Sequence, residues 1–162
     1  MSKEGNAISF EPPTRNGTRG RRQPGRPPGW VDKWILNRIR RKGRMPGLRF
    51  NALVLTTIGR KSGVERQTAV GWFPGQDDSR LIVASAVGAP RNPAWYYNLA
   101  AHPDQVWIET AGRKVAMTAE QLHGAERDEA WRQITAAAPR FAGYQEATDR
   151  ELPIIRLVPR SS

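Results

Sequence analysis

The chain has 162 residues and no cysteine. That is the length of one domain with a real core, and it excludes a disulfide framework and thiolate chemistry. The net charge of +11 is lopsided: residues 1–49 hold 13 Lys/Arg against 3 Asp/Glu, a net +10, while residues 50–162 hold 13 against 12.

The opening MSKEGNAISFEPP lacks the apolar stretch of a signal peptide, and no apolar run approaches the roughly 18 residues that cross a bilayer, so the expected location is cytoplasmic. Residues 11–29, EPPTRNGTRGRRQPGRPPG, hold no aliphatic side chain. Such a segment buries too little apolar surface to offset its ordering entropy, which predicts a disordered basic arm over 1–29. WVDKWILNRIRRK then predicts an amphipathic helix within 30–45, with Val31, Trp34, Ile35 and Ile39 on one face and Lys33, Arg38, Arg40, Arg41 and Lys42 on the rest, ended by Gly43 and Pro46. Two readings stay open for it: an interfacial helix on anionic lipid, or a helix packed on the body with a solvated charged face.

Residues 46–162 form the predicted body. NALVLTTI (51–58) and VERQTAVGWF (64–73) read as strands joined by GRKSG, and RLIVASAV (80–87) as a third after the turn PGQDDS. Asn92-Pro93 predicts an N-cap with proline at the first helical position, opening the helix PAWYYNLAAH. QVWIET and KVAMTAEQL flank AGR as a hairpin, AERDEAWRQITAAA is a helix stopped before Pro139, and LPIIRLV is a last strand. About six short strands with two interspersed helices predict a mainly β, α+β fold closed as a small barrel.

Several chemistries drop out. GRKSG places Ser62 one position late for a nucleophile elbow and lacks the glycines of a P-loop. His102 and His123 stand in unrelated segments with no carboxylate or cysteine cluster, so no metal site is expected. The arm lacks the interleaved aromatics of a specific nucleic-acid surface. An enzyme built from this chain would leave its hard chemistry to a bound cofactor. In GRKSG, Gly59 and Gly63 permit a tight backbone, Arg60, Lys61 and Arg66 add fixed positive charge, and Ser62 adds a donor. The residues alone fit an anion cradle and a solvated turn equally.

TTIGRKSG, LIVASAVGAPRNPAWYYNL and YQEATDRELPII, in that order and at these spacings, resemble the deazaflavin-dependent nitroreductase family over residues 50 to about 159. The resemblance implies an FMN-binding-like split β-barrel. It also implies a hydride passed from reduced coenzyme F420 to a quinone-like or nitro-bearing acceptor, with neither metal nor thiol. The F420 tail carries a phosphodiester and several glutamates. By resemblance Arg60, Lys61, Ser62 and Arg66 hold that tail, and Thr56 and Gly63 also belong to the cofactor site. Thr68, Ala69, Val70, Ala84, Ser85 and Ala86 flank the ring, with Arg91, Asn92 and Trp95 from the NPAWYYNL segment beside them. For Trp95 core packing competes with this role, and Arg91 stands where it could reach a phosphate. Tyr144 matches a tyrosine on the acceptor side, where a phenol can donate a proton, or it is an ordinary half-buried tyrosine.

The sequence departs from nitroreductase members at Ala86-Val87, where those carry Ser-Lys, and at Phe141 and Ala147, where they carry aromatics that shape the pocket, Phe141 standing for a tyrosine. A roomier, more apolar acceptor site follows. Competing readings are a barrel oxidoreductase using FMN, whose single phosphate needs fewer basic contacts, and a non-catalytic cofactor- or membrane-binding module. Monomer and homodimer are both open.

Overall fold

The structure, a computed structural model, describes residues 9–45 and 51–160. Residues 1–8 of the expected arm and Pro46, expected to stop the first helix, lie outside that description. Seven strands form one antiparallel sheet: β1 Ala52–Ile58, β2 Glu65–Gly71, β3 Phe73–Pro74, β4 Arg80–Val83, β5 Val106–Thr110, β6 Arg113–Gln121 and β7 Ile154–Pro159, in the order β2-β1-β5-β6-β7-β4-β3. The two ends of that order, β2 and β3, are consecutive in sequence. The predicted strand 64–73 is thus one bent strand that breaks at Trp72, whose N–H donates to Asn51 O at 2.9 Å, and joins one sheet edge to the other. The α+β split barrel expected from the sequence is the observed fold.

Strand β1 is buried from Ala52 through Thr57, which accounts for its unbroken apolar start. Leu53 and Leu55 enter the barrel interior with Val106, Ile108, Met117 and Leu157, while Ala52 and Val54 lie beneath helix α1, Gly29–Lys42. The β5–β6 hairpin turns on Ala111 (φ +48°) and Gly112 (φ +81°), a pair whose left-handed backbone matches strand twist.

Helix α1 ends as predicted on Gly43, whose φ of +72° lets its N–H reach Ile39 O at 2.8 Å. Its inward face differs from the predicted one. Leu36 and Ile39 are buried, whereas Trp34 is 52% and Trp30 78% exposed. The roll is set by Arg40, which pairs with Glu109 at 3.2 Å and donates to Gln67 Oε1 at 2.7 Å. Helix α2 is Ala94–Ala101, α3 is Gly124–Ala137, and α4 is Arg140–Ala147, an element that the sequence reading left unassigned. Asn92 does not cap α2; its amide donates to Thr14 O at 2.8 Å and its Oδ1 accepts from Arg150 at 2.6 Å.

The arm departs most from expectation. From Ser9 it lies against the barrel instead of being free. Phe10 is 1% exposed and packs on Tyr96, with centroids 5.8 Å apart. Thr14 N–H donates to the Tyr96 hydroxyl at 3.0 Å, and Gly17 N–H to Pro90 O at 2.7 Å. Asp149 accepts from Thr18 N–H at 2.7 Å, from its hydroxyl at 2.5 Å and from Arg19 N–H at 3.3 Å. Backbone donors and glycines, which composition does not register, do the docking.

Candidate functional site

The GRKSG turn closes β1 onto β2. Gly59 N–H donates to Val64 O at 2.8 Å and Gly63 N–H to Gly59 O at 2.9 Å, with Gly63 at φ +70°. Ser62 Oγ accepts from Val64 N–H at 3.2 Å, so this hydroxyl shapes the turn first. Asn98 on α2 brackets the base: its Oδ1 accepts from Arg60 N–H at 3.1 Å and its amide donates to Thr57 Oγ1 at 3.2 Å. The Arg60 guanidinium sits 4.5 Å from the Tyr97 ring centroid. Arg60, Lys61, Ser62 and Arg66 are all exposed, and the N–H groups of Lys61 and Ser62 have no partner among the described residues.

These four residues form one end of a cleft of about 910 Å³. Also lining it are Thr68, Ala69 and Val70 of β2, the turn Ser85, Ala86 and Val87, Trp95, and Arg140, Phe141 and Tyr144 of α4. Five expected site residues lie outside this lining. Thr56 points the other way from its neighbour Thr57, which does line the cleft, as strand alternation requires. Gly63 stands beyond the tip. Ala84 is fully buried, and Arg91, exposed, and Asn92, buried, belong to the segment that meets the arm. Ala147 also lies outside, packed toward Gly88. Leu99 is fully buried in the barrel core, while Trp95 packs at its edge and also lines the cleft.

The turn between β4 and α2 is strained and clamped. Ala86, Val87 and Gly88 have φ of +45°, +51° and +86°, a left-handed run that costs a β-branched residue such as Val87 most. Gly88 is required twice, because a Cβ there would also stand 2.7 Å from Tyr144 O. Arg150, 2% exposed, holds the run from behind. Its Nε and Nη2 donate to Ala89 O at 3.1 and 3.0 Å, Nη1 to Ala84 O at 2.9 Å and to Asn92, and Nη2 to Ser85 O at 2.8 Å. Burial pushes this guanidinium below the ordinary arginine range, yet no carboxylate accompanies it in these bonds. The reading of residues missed Asn98 and Arg150; a buried arginine satisfied by carbonyls leaves no charge pattern in sequence.

A deazaflavin fits this donor set. Exposed cations and unpartnered N–H groups at one end suit an acidic tail, and small side chains (Ala69, Ser85, Ala86) on facing walls leave room for a flat ring. Tyr144, half-buried, meets Phe141 edge-on at 5.4 Å, and the Arg21 guanidinium lies 5.4 Å from its ring centroid.

Comparison with known proteins agrees. The family model described as F420H(2)-dependent quinone reductase matches residues 34–159. An F420H(2)-dependent quinone reductase of Mycobacterium tuberculosis is 36% identical over 120 residues, covering 72% of this chain and 78% of the relative. A solved F420-H2 dependent reductase is 31% identical with a TM-score of 0.59, covering 68% of this chain and 99% of that one. Another solved chain, described as a domain-swapped dimer, is 33% identical with a TM-score of 0.60, covering 65% and 78%. The chain belongs to the F420H(2)-dependent quinone reductase family, and with it is an oxidoreductase that works with reduced coenzyme F420.

Proposed function

We propose that this protein reduces a quinone-like acceptor, with its cofactor's acidic tail held by Arg60, Lys61, Ser62 and Arg66 and the ring lying between Thr68–Val70 and Ser85–Ala86. The observation that carries the reading is the single cleft that joins an exposed cationic turn to a wall of small side chains. Reduced F420 supplies the hydride. The chain's own part is to bind, orient and protonate. Arginine and lysine meet phosphate and carboxylate oxygens with charge-assisted bonds, and the Arg60 backbone is fixed by Asn98 so that its guanidinium need not be ordered on binding. Hydride addition to a quinone leaves an oxyanion, and the Tyr144 phenol or water supplies the proton that completes the hydroquinone. Ala86 and Val87 carry no group that could bond a nitro oxygen through a side chain, so a quinone suits the cleft better than a nitro compound.

Titrating tryptophan fluorescence with F420, beside FMN, tests this. The expected result is saturable quenching by F420 that Arg60→Ala with Lys61→Ala weakens by about tenfold or more, each lost charge-assisted bond contributing a substantial share. Unchanged affinity in that double variant would remove the tail assignment.

A second reading concerns where the acceptor is met. Trp30 and Trp34 stand exposed, one helical turn apart on α1, among the exposed Lys33, Arg38, Arg41 and Lys42. This supports docking on an anionic bilayer, the source of a lipid-soluble quinone. The solved relative described as a domain-swapped dimer supports a homodimer.

A further inference from the structure

The arm precedes residue 34, where the family match begins, so nothing in that match says what it does. It is nonetheless built to dock. A Cβ at Gly17 would lie 2.5 Å from Asp149 Oδ1, and one at Gly20 would lie 2.5 Å from Gly88 O. Only glycine permits those approaches. Arg21 N–H then donates to Gly88 O at 3.0 Å, and its guanidinium lies 5.4 Å from the Tyr144 ring centroid. The arm is thereby tied to the same Ser85–Gly88 turn that walls the cleft.

Two residues further on, Gln23–Pro27 line the cleft themselves. Prolines at 24, 27 and 28 stiffen this stretch. Arg26 bridges two walls: its Nη2 donates to Gln67 O on β2 at 3.0 Å and to Asp32 Oδ2 on α1 at 2.9 Å, with Nε reaching the same Oδ2 at 3.2 Å. Its Nη1 has no partner among the described residues. Asp32 is itself part of the lining and would repel an acidic tail if Arg26 did not neutralise it. Gln67 follows Arg66 directly, so Arg26 stands at the cationic end.

We propose that the arm is a working wall of the cofactor site, docked through Gly17 and Gly20, and that Arg26 is a further contact for the acidic tail of F420. The proposal rests on the tail-binding reading above.

Two variants of the full-length protein test it. Gly17→Val with Gly20→Val undocks the arm without replacing a residue that lines the cleft; Arg26→Gln keeps the arm docked and removes the charge. Each is titrated with F420 and with the tail-less deazaflavin alcohol. Trypsin cleavage after Arg19, Arg21 and Arg22 is timed in wild type with and without F420. Both variants are expected to weaken F420 binding by about three- to tenfold, a partly exposed charge-assisted contact, and to leave the tail-less ligand unchanged. Saturating F420 is expected to slow cleavage of the wild-type arm. Wild-type affinity in both variants, or cleavage indifferent to F420, would overturn the proposal and leave the assignment of Arg60 and Lys61 standing. Failure of wild type to distinguish F420 from the tail-less ligand would overturn both.

Discussion

All five N–H donors of Arg150 end on oxygens of residues 84–92, with no carboxylate among them. The guanidinium stays protonated despite the lowering that burial imposes, because arginine starts so far above neutrality. Its removal would leave the Ala84 and Ala89 carbonyls and the Asn92 amide oxygen without donors, behind a turn already strained at Ala86 and Val87, while Ser85 O would keep the Gly88 N–H. Orphaned buried acceptors cost about 1–3 kcal/mol each before relaxation. Arg150→Met is therefore expected to lose about 3 kcal/mol or more, a fall in Tm of roughly 6–12 °C for a domain of this size. Arg150→Lys, with three donors instead of five and no planar fork, is expected between the two. Thermal denaturation followed by circular dichroism decides. A lysine variant as stable as wild type would mean that charge alone, without the fork, holds the turn.

At the scale of elements, neighbouring residues play opposite parts: Arg150 clamps the β4–α2 turn and Asp149 clamps the arm. The Thr18 hydroxyl and then the backbone N–H groups of Thr18 and Arg19 hold the Asp149 carboxyl down to about 2. A depressed folded-state pKa means that the docking contribution is fully present above the unfolded value near 4 and is lost as pH falls through about 2. The amide resonances of Thr18 and Arg19, followed from pH 6 downward, are expected to shift together with a midpoint near 2. In Asp149→Asn they should already stand at the released position at pH 6. A wild-type midpoint near 4 would show that the carboxylate makes no such bonds. Here the sequence was least readable. Most strands, the GRKSG turn and the Pro139 stop were legible because β-branched runs, glycines and prolines act locally; the strand expected over 80–87 ends at Val83, where the chain enters the left-handed turn at 86–88. The arm looked disordered because composition reports side-chain burial, whereas the arm docks through backbone N–H groups at Gly17 and Arg21, two hydroxyls and the single plug Phe10. Motif resemblance marks a segment, whereas strand alternation decides that Thr57 and not Thr56 lines the cleft. Helix α4 has eight residues with Gly143 among them, so it leaves no long periodic apolar stripe to read.

Over the whole molecule, the net charge of +11 concentrates at one end of the chain, on the arm and α1. The two carry different work. The described arm cations are exposed, yet two of them bond the body: Arg19 donates to the carbonyls of Glu146 and Ala147 at the end of α4, and Arg26 to Gln67 O beside the cleft. Those of α1 stay exposed beside Trp30 and Trp34, with Arg38 5.8 Å from the Trp34 ring centroid. Among the described residues no helix is long and apolar enough to cross a membrane. Docked on a bilayer as proposed, α1 would make a shallow contact. Its cations add about 1 kcal/mol each near an anionic surface, within a Debye length, and two inserted indoles add the apolar share. Sedimentation with phosphatidylserine-rich vesicles is expected to carry the protein down at low salt and progressively less as salt rises, while neutral vesicles leave it in solution. Trp30→Ala with Trp34→Ala is expected to weaken vesicle binding by about tenfold or more, since each indole gives up apolar burial. The same variant should bind F420 as wild type does, because neither tryptophan lines the cleft. Equal binding to neutral and anionic vesicles would take the basic face out of the account, and an unchanged double variant would do the same for the indoles. A loss of F420 affinity in that variant would instead place α1's outer face within reach of the tail, and the division of labour between arm and helix would fail.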